Sequence, residues 1–229
     1  MNLEVIYGNM FNSKAQTIVN TVNCVGVMGK GIALVFKLKY PKMFDIYRIL
    51  CKEKKIGIGK LWLYKGESDS PWVLNFPTKY HWKYPSKLEY IEKGLKNFIE
   101  IYKEQGITSI AFPILGTHNG GLNKSDVIPL MSKYLSNIYI PIEIIEYDPN
   151  ANDGLFEAFS SKWNQFSFNE IKQYTGIRTD RIHTISECIN KRKVSSMISL
   201  IKEPGIGLKT MEQCFKFIMT ANSQKTLFD

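Results

Sequence analysis

The chain has 229 residues, enough for one large domain or for a medium domain with a small appendage. Its 44% hydrophobic and 13% aromatic content suits a packed core and excludes global disorder, and no apolar run reaches the roughly 18 residues of a membrane span. The net charge of +9 is shared by both parts, with 19 basic and 14 acidic side chains in residues 1–155 against 11 and 7 in residues 156–229, and it favours a polyanionic partner.

Leu3–Tyr7 and Thr17–Val22 are short β-branched runs that predict buried strands. Gly31–Lys39 predicts a helix, and Pro41–Glu53 a second. Leu61–Lys65 and Trp72–Phe76 predict strands separated by a turn at Glu67–Ser70. Ser86–Gln105 predicts a long helix, with Ser86 as its cap, Glu89 three residues on, and Gly106 as its stop. Leu88, Ile91, Leu95, Phe98, Ile99 and Tyr102 repeat along it at helical spacing. Ser109–Ile114 and Ile140–Tyr147 predict strands, with a helix at Lys124–Leu135 between them. Strands alternating with helices imply an α/β domain whose ligands bind where loops leave the strand ends. Loop composition at Pro149–Gly154 predicts a boundary: one domain over 1–150 and a small helical region over 155–229.

Cys24, Cys51, Cys188 and Cys214 stand far apart without a C-x-x-C pair, and His81, His118 and His183 add no ligand spacing. Reduced thiols, no metal site and no cofactor are expected. The opening residues lack the basic-then-apolar layout of a signal peptide, so a cytoplasmic protein without a membrane partner is expected.

Two glycine-rich loops follow predicted strands. Gly26-Val27-Met28-Gly29-Lys30-Gly31 runs directly into a helix, whose first N–H groups are unpaired and suit an anion. Gly116-Thr117-His118-Asn119-Gly120-Gly121 follows the strand ending at Ile114. Either loop alone can be no more than a turn; two in one sheet suggest a pyrophosphate held from both sides. Neither is a Walker motif or a dinucleotide fingerprint. Lys79, in Asn75-Phe76-Pro77-Thr78-Lys79, is placed in a proline-stiffened loop after a strand.

The run IVNTVNCVGVMGKGIALVFKLKYP (Ile18–Pro41) resembles macrodomains, specifically the branch that includes DarG-type antitoxins, enzymes that strip ADP-ribose from DNA. YGNMF (Tyr7–Phe11), NFPTKYHWK (Asn75–Lys83) and FPILGTHNGGL (Phe112–Leu122) extend the resemblance over most of residues 1–150. It implies a three-layer α/β/α fold with a mixed central sheet, ADP-ribose as ligand or product, and hydrolysis of an ADP-ribosyl bond to nucleic acid. By position, Asn9 stands where many macrodomains carry an aspartate that meets the adenine amino group, with Met10 beside it. Asn20 and Asn23 fall on the loop facing the distal ribose. Gly26, Val27, Met28, Gly29, Gly31 and Ile32 hold the diphosphate from one side, and Gly116, Thr117, His118, Asn119, Gly120, Gly121 and Leu122 hold it from the other. Lys79 matches the lysine placed beside the anomeric carbon of the distal ribose.

That chemistry stands on its own: a lysine with a lowered pKa can act as an amine nucleophile or base, and a charged one can stabilise a leaving group. A relative that cleaves protein-linked ADP-ribose has a catalytic aspartate where this chain has Gly120, so a lysine–aspartate pair is not expected. His118 is either a contact of the distal ribose or a solvent-facing loop residue. His81, Trp82 and Lys83 either stack and hold an exposed base or pack a loop. The alternatives to hydrolysis on nucleic acid are a non-catalytic reader of ADP-ribose and a hydrolase of protein-linked or acetylated ADP-ribose.

Two patterns in the helical region suggest nucleic-acid contact. Phe168–Ile185 resembles a helix-turn-helix, with Gly176 at the turn and Arg178, Thr179, Arg181 and His183 facing outward. Ile198–Ile218 resembles a helix-hairpin-helix, in which Pro204–Gly207 turns backbone N–H groups toward a phosphate, helped by Lys209 and Thr210. Gln224–Phe228 resembles the short peptide that docks on bacterial sliding clamps.

Overall fold

The computed structural model describes residues 2–66, 70–151 and 153–220. Most of the turn expected at Glu67–Ser70, and all of the Gln224–Phe228 peptide, lie outside the described residues. The chain divides into two compact units, Met1–Tyr147 and Asp148–Asp229.

The first unit is built on β1 (Leu3–Gly8), β2 (Thr17–Asn23), β3 (Trp62–Tyr64), β4 (Trp72–Lys79), β5 (Ile110–Pro113) and β6 (Ile142–Tyr147). They form one sheet in the order β1-β6-β5-β2-β4-β3. Five strands run parallel and only the short edge strand β3 is antiparallel, to β4. Side chains alternate between the faces, as the strand period requires. Ile18, Val22, Val73, Ala111 and Ile145 point to one face, against Phe36 of α1 (Gly31–Lys39) and Met43 and Tyr47 of α2 (Pro41–Lys52). Val19, Leu74, Phe76, Phe112 and Ile144 point to the other, against Ile91, Leu95 and Phe98 of α3 (Leu88–Ile101) and Val127 and Met131 of α4 (Lys124–Leu135). The result is three layers, α/β/α, around a mixed sheet, as the sequence predicts.

This topology creates a crevice. β2 and β5 pair only through Thr17–Ile110 and Ile18–Ala111, at their starts, and separate toward their ends. The chain winds away from this junction on both sides, to β6 on one and to β4 on the other. In open α/β sheets such a switch point is where ligands bind.

Two local expectations change. Ser86 does not cap α3: the helix starts after Lys87 without a side-chain cap, and Ser86 is buried with its N–H on the Gly120 carbonyl at 2.8 Å. Asn75-Phe76-Pro77-Thr78 is not a loop but the second half of β4. β3 pairs with β4 only from Val73 to Asn75, so Pro77 lies past its end, where an absent N–H costs no ladder bond to that strand.

The second unit is helical: α5 (Gly154–Trp163), α6 (Phe168–Thr175), α7 (Thr179–Asn190), α8 (Met197–Leu200) and α9 (Leu208–Thr220). Phe159, Trp163, Ile171, Ile182, Ile185 and Phe217 are buried in it. Asp153 ties two helix starts together, since its carboxylate accepts from Phe156 N–H of α5 and, at 2.9 Å, from Met197 N–H of α8. Among the described residues, no helix is long and apolar enough to cross a membrane.

Candidate functional site

Because β1, β6, β5, β2 and β4 are parallel, the loops that follow them all leave from one edge of the sheet. The strand order fixes their sequence along that edge. Asn9 (after β1) and Tyr147 (end of β6) come first, the two glycine loops (after β5 and β2) occupy the middle, and Lys79 (end of β4) stands on the far side. The candidate residues, far apart in sequence, form one line.

The first loop is held open from beneath. Asn23, the last residue of β2, accepts from Val25 N–H at 3.0 Å and Val27 N–H at 3.4 Å and donates to the Val27 carbonyl at 2.5 Å. Tyr47 of α2 donates to the Asn23 carbonyl at 2.6 Å. Met28 is buried, Gly29 is exposed, and Gly26 and Ile32 are half-buried. Lys30 precedes α1 without any side-chain cap, so the helix presents its unpaired N–H groups to the crevice edge, a ready anion site. Asn20 and Asn23 lie in β2 rather than on a loop. Asn23 is committed to the loop's own backbone. Asn20 lies inside β2, fully buried, donating to Asn75 Oδ1 at 2.9 Å.

The second loop meets the first. A Cβ on Gly31, whose φ is +58°, would stand 2.6 Å from Asn119 Nδ2, so glycine permits both the backbone turn and the approach of the two loops. Thr117 Oγ1 donates to the Ile114 carbonyl at 2.8 Å, and Leu122 N–H closes the loop on Gly116 O at 3.1 Å. Gly121 adopts φ +81°. A Cβ on Gly120 would lie 2.6 Å from Ser86 Oγ, so the space an aspartate there would need is already filled.

Lys79 Nζ donates to the Asn119 carbonyl, which brings the amine of β4 onto the second glycine loop. Burial lowers the Lys79 pKa from the ordinary lysine value, and no charged neighbour contributes to that shift. The backbone around it is pinned to the first loop as well: Cys24 N–H donates to Tyr80 O at 3.0 Å. The His118 ring stands edge-on to Tyr147 at 6.4 Å, on the β6 side. Sequence reasoning missed Tyr147, a single aromatic at a strand end that carries no motif. Its ring lines a cleft of about 280 Å³ together with Ile114, Thr117, His118 and Leu122.

Beyond Lys79 the chain exposes Tyr80 (64%), Trp82 (49%) and Tyr84 (63%) around a half-buried His81, with the Lys83 ammonium 5.3 Å from the Trp82 ring. His81 stacks on Trp82 at 5.4 Å. Tyr80 and Tyr84 enlarge the His81–Trp82 pair that the sequence singles out.

Within the helical unit, α6 and α7 are joined through Gly176, with Arg178, Thr179 and His183 exposed and Arg181 half-buried. The Arg181 guanidinium lies against Gly205 of the Pro204–Gly207 turn, so the two patterns read separately from the sequence share one surface. Lys209 is exposed and Thr210 half-buried on the first turn of α9. Among the described residues, no group of three or more His, Cys, Asp or Glu is placed to hold a metal ion.

A family model described as Macro domain matches residues 19–131. A DNA ADP-ribosyl glycohydrolase of Mycobacterium tuberculosis is 50% identical over 122 residues, 52% of this chain and 35% of its own length. The solved macrodomain of Thermus aquaticus DarG is 38% identical with a TM-score of 0.59, covering 64% of this chain and 98% of that one. Thermosipho africanus DarTG in complex with ADP-ribose is 43% identical with a TM-score of 0.61, covering 64% of this chain and 42% of that one. The chain spans 35% to 42% of the length of the DNA ADP-ribosyl glycohydrolases it matches.

Proposed function

Since the chain belongs to the macrodomain family, we propose that its first unit binds ADP-ribose along the loop edge of the sheet and hydrolyses the bond joining it to a nucleic-acid base. The observation that carries this reading is the hydrogen bond from Lys79 to the Asn119 carbonyl, which sets an amine beside the loop pair suited to a diphosphate. With the diphosphate in the middle of the line, the adenosine lies toward Asn9 and Tyr147 and the distal ribose toward Lys79. The names of the relatives, DNA ADP-ribosyl glycohydrolases, support DNA as the substrate, and the fusion of a DNA ADP-ribosyl transferase to a DNA ADP-ribosyl glycohydrolase in the Thermosipho africanus relative supports an antitoxin-like role.

In the reaction, the bond from C1 of the distal ribose to the base breaks and water is added across it: C1 gains a hydroxyl and the base keeps a proton. As a neutral amine, Lys79 adds to C1 of the ring-opened sugar and the base leaves with a proton, giving an imine; water then hydrolyses that imine, returning the amine and releasing the C1 aldehyde of ADP-ribose, which closes to the ring form. As an ammonium, it stabilises the departing base. The direction of the pH–rate profile assigns the role. Tyr80, Trp82 and Tyr84 offer stacking faces to bases flanking the modified one, and Lys83 offers a phosphate contact. The helical unit adds sequence-independent backbone contacts through Arg181, Lys209, Thr210 and the Pro204–Gly207 turn. The Gln224–Phe228 peptide is assigned to a sliding clamp in the same reading.

The test is incubation of ADP-ribosylated single-stranded DNA with wild type and with Lys79→Ala. Release of ADP-ribose by wild type alone supports the proposal. No release by either, with ADP-ribose binding retained, makes the protein a reader.

A further inference from the structure

We infer that Cys24 is a positioning residue for Lys79: its thiol and its backbone N–H hold two successive carbonyls at the end of β4, and that grip aims the lysine amine at the second glycine loop. This rests on the reading above, that Lys79 acts at the distal ribose.

β3 pairs with β4 only from Val73 to Asn75, so Phe76 to Lys79 are held from the β2 side. Even that ladder is irregular at its end. Val22 pairs with Pro77, which has no N–H to give, and the next pair is Asn23 with Lys79, so Thr78 is an extra residue. An extra residue of this kind bends its strand and re-aims the side chains around it. Cys24, one residue past the end of β2, closes the irregular stretch. Its N–H donates to Tyr80 O at 3.0 Å, and its Sγ donates to Lys79 O at 3.3 Å. Because a peptide unit is planar, holding those two carbonyls fixes the course of the backbone as it leaves Lys79. The amine at the end of the Lys79 side chain donates to the Asn119 carbonyl.

The thiol stays a donor. Cys24 is 8% exposed, and burial, with Cys51 nearby, pushes its thiol up to about 11, so it keeps its proton at neutral pH. A thiolate in its place would set a negative charge against the Lys79 carbonyl. The grip is also anchored from below. Tyr47 of α2 donates to the carbonyl of Asn23, the residue just before Cys24, at 2.6 Å. Cys24 therefore links the start of the first glycine loop to the backbone that carries Lys79. Cys24→Ala keeps the backbone bond to Tyr80 and removes the thiol, while Cys24→Ser keeps a donor for the same Lys79 carbonyl.

The experiment compares the full chain as wild type, Cys24→Ala and Cys24→Ser for kcat and KM on ADP-ribosylated single-stranded DNA. ADP-ribose affinity is measured by calorimetry, and thermal melts place every assay below the transition of all three. Cys24→Ala is expected to lose about tenfold in kcat, with KM and ADP-ribose affinity within about twofold of wild type, because the ligand still seats while the amine is misdirected. Cys24→Ser is expected to recover kcat to within about threefold of wild type. Unchanged kcat in Cys24→Ala, a loss that Cys24→Ser does not restore, or a loss carried by KM instead of kcat overturns this inference alone. A wild type that releases no ADP-ribose overturns it together with the reading beneath it.

Discussion

Asn23→Ala tests whether the first glycine loop is preorganised by the side chain beneath it. The substitution removes the donation to the Val27 carbonyl at 2.5 Å and the acceptance from Val25 and Val27 N–H at 3.0 and 3.4 Å. Tyr47 keeps its bond to the Asn23 backbone carbonyl, so α2 stays attached. Stranding buried backbone partners costs about 1–3 kcal/mol each. Val25 and Val27 are 40% and 39% exposed, so water reaches the loop and holds the total near about 2 kcal/mol. For a chain of this size that is a fall in Tm of roughly 4–8 °C. If the ligand must then reorder the loop, the same energy appears in binding as a loss of about 30-fold in ADP-ribose affinity. Thermal melting followed by circular dichroism and calorimetric titration measure the two effects. A melt within about 1 °C of wild type, together with undiminished affinity, refutes the argument that Asn23 shapes the site from below.

Burial favours the neutral Lys79 amine, so the proton leaves at a lower pH than from lysine in water. The pH–rate profile on ADP-ribosylated DNA should have a limb below the free-lysine range, rising with pH for the amine role and falling for the ammonium role. A flat profile removes Lys79 from the chemistry. Gly120→Asp should destabilise the first unit by about 1–3 kcal/mol, because its Cβ meets Ser86 Oγ, and Ser86→Gly in the same chain should restore most of the loss. Equal melts for Gly120→Asp and wild type contradict the packing described here. Lys209→Ala should lower the slope of log affinity for DNA against log salt by about 1, and an unchanged slope excludes Lys209 as a phosphate contact.

Much of the layered fold is written in local pattern. α3 follows from its apolar spacing, and the runs expected at Thr17–Val22 and Ile140–Tyr147 are the strands β2 and β6. What escaped prediction depends on contacts distant in sequence. Ser86 carries a capping signature with Glu89, yet Gly120 draws it into the core. Pro77 reads as a loop signal because nothing in the sequence says that β3 stops short of it. The two glycine loops are legible because glycine is a local turn signal, whereas the place of Lys79 at the end of β4 is not, because Pro77 points to a loop instead. The place of Asn20 and Asn23 inside β2 is not legible either, because it depends on how far the strand runs before the loop begins. Tyr147 becomes visible only when the β1–β6 register places it beside Asn9.

A crystal structure of the chain with ADP-ribose shows at once how the nucleotide lies. The expected complex has the diphosphate between Gly26–Ile32 and Gly116–Leu122, the base beside Asn9 and Tyr147, and C1 of the distal ribose within reach of Lys79 Nζ. A nucleotide lying the other way along the edge, with its base at Lys79, or a diphosphate outside the two loops, would contradict it.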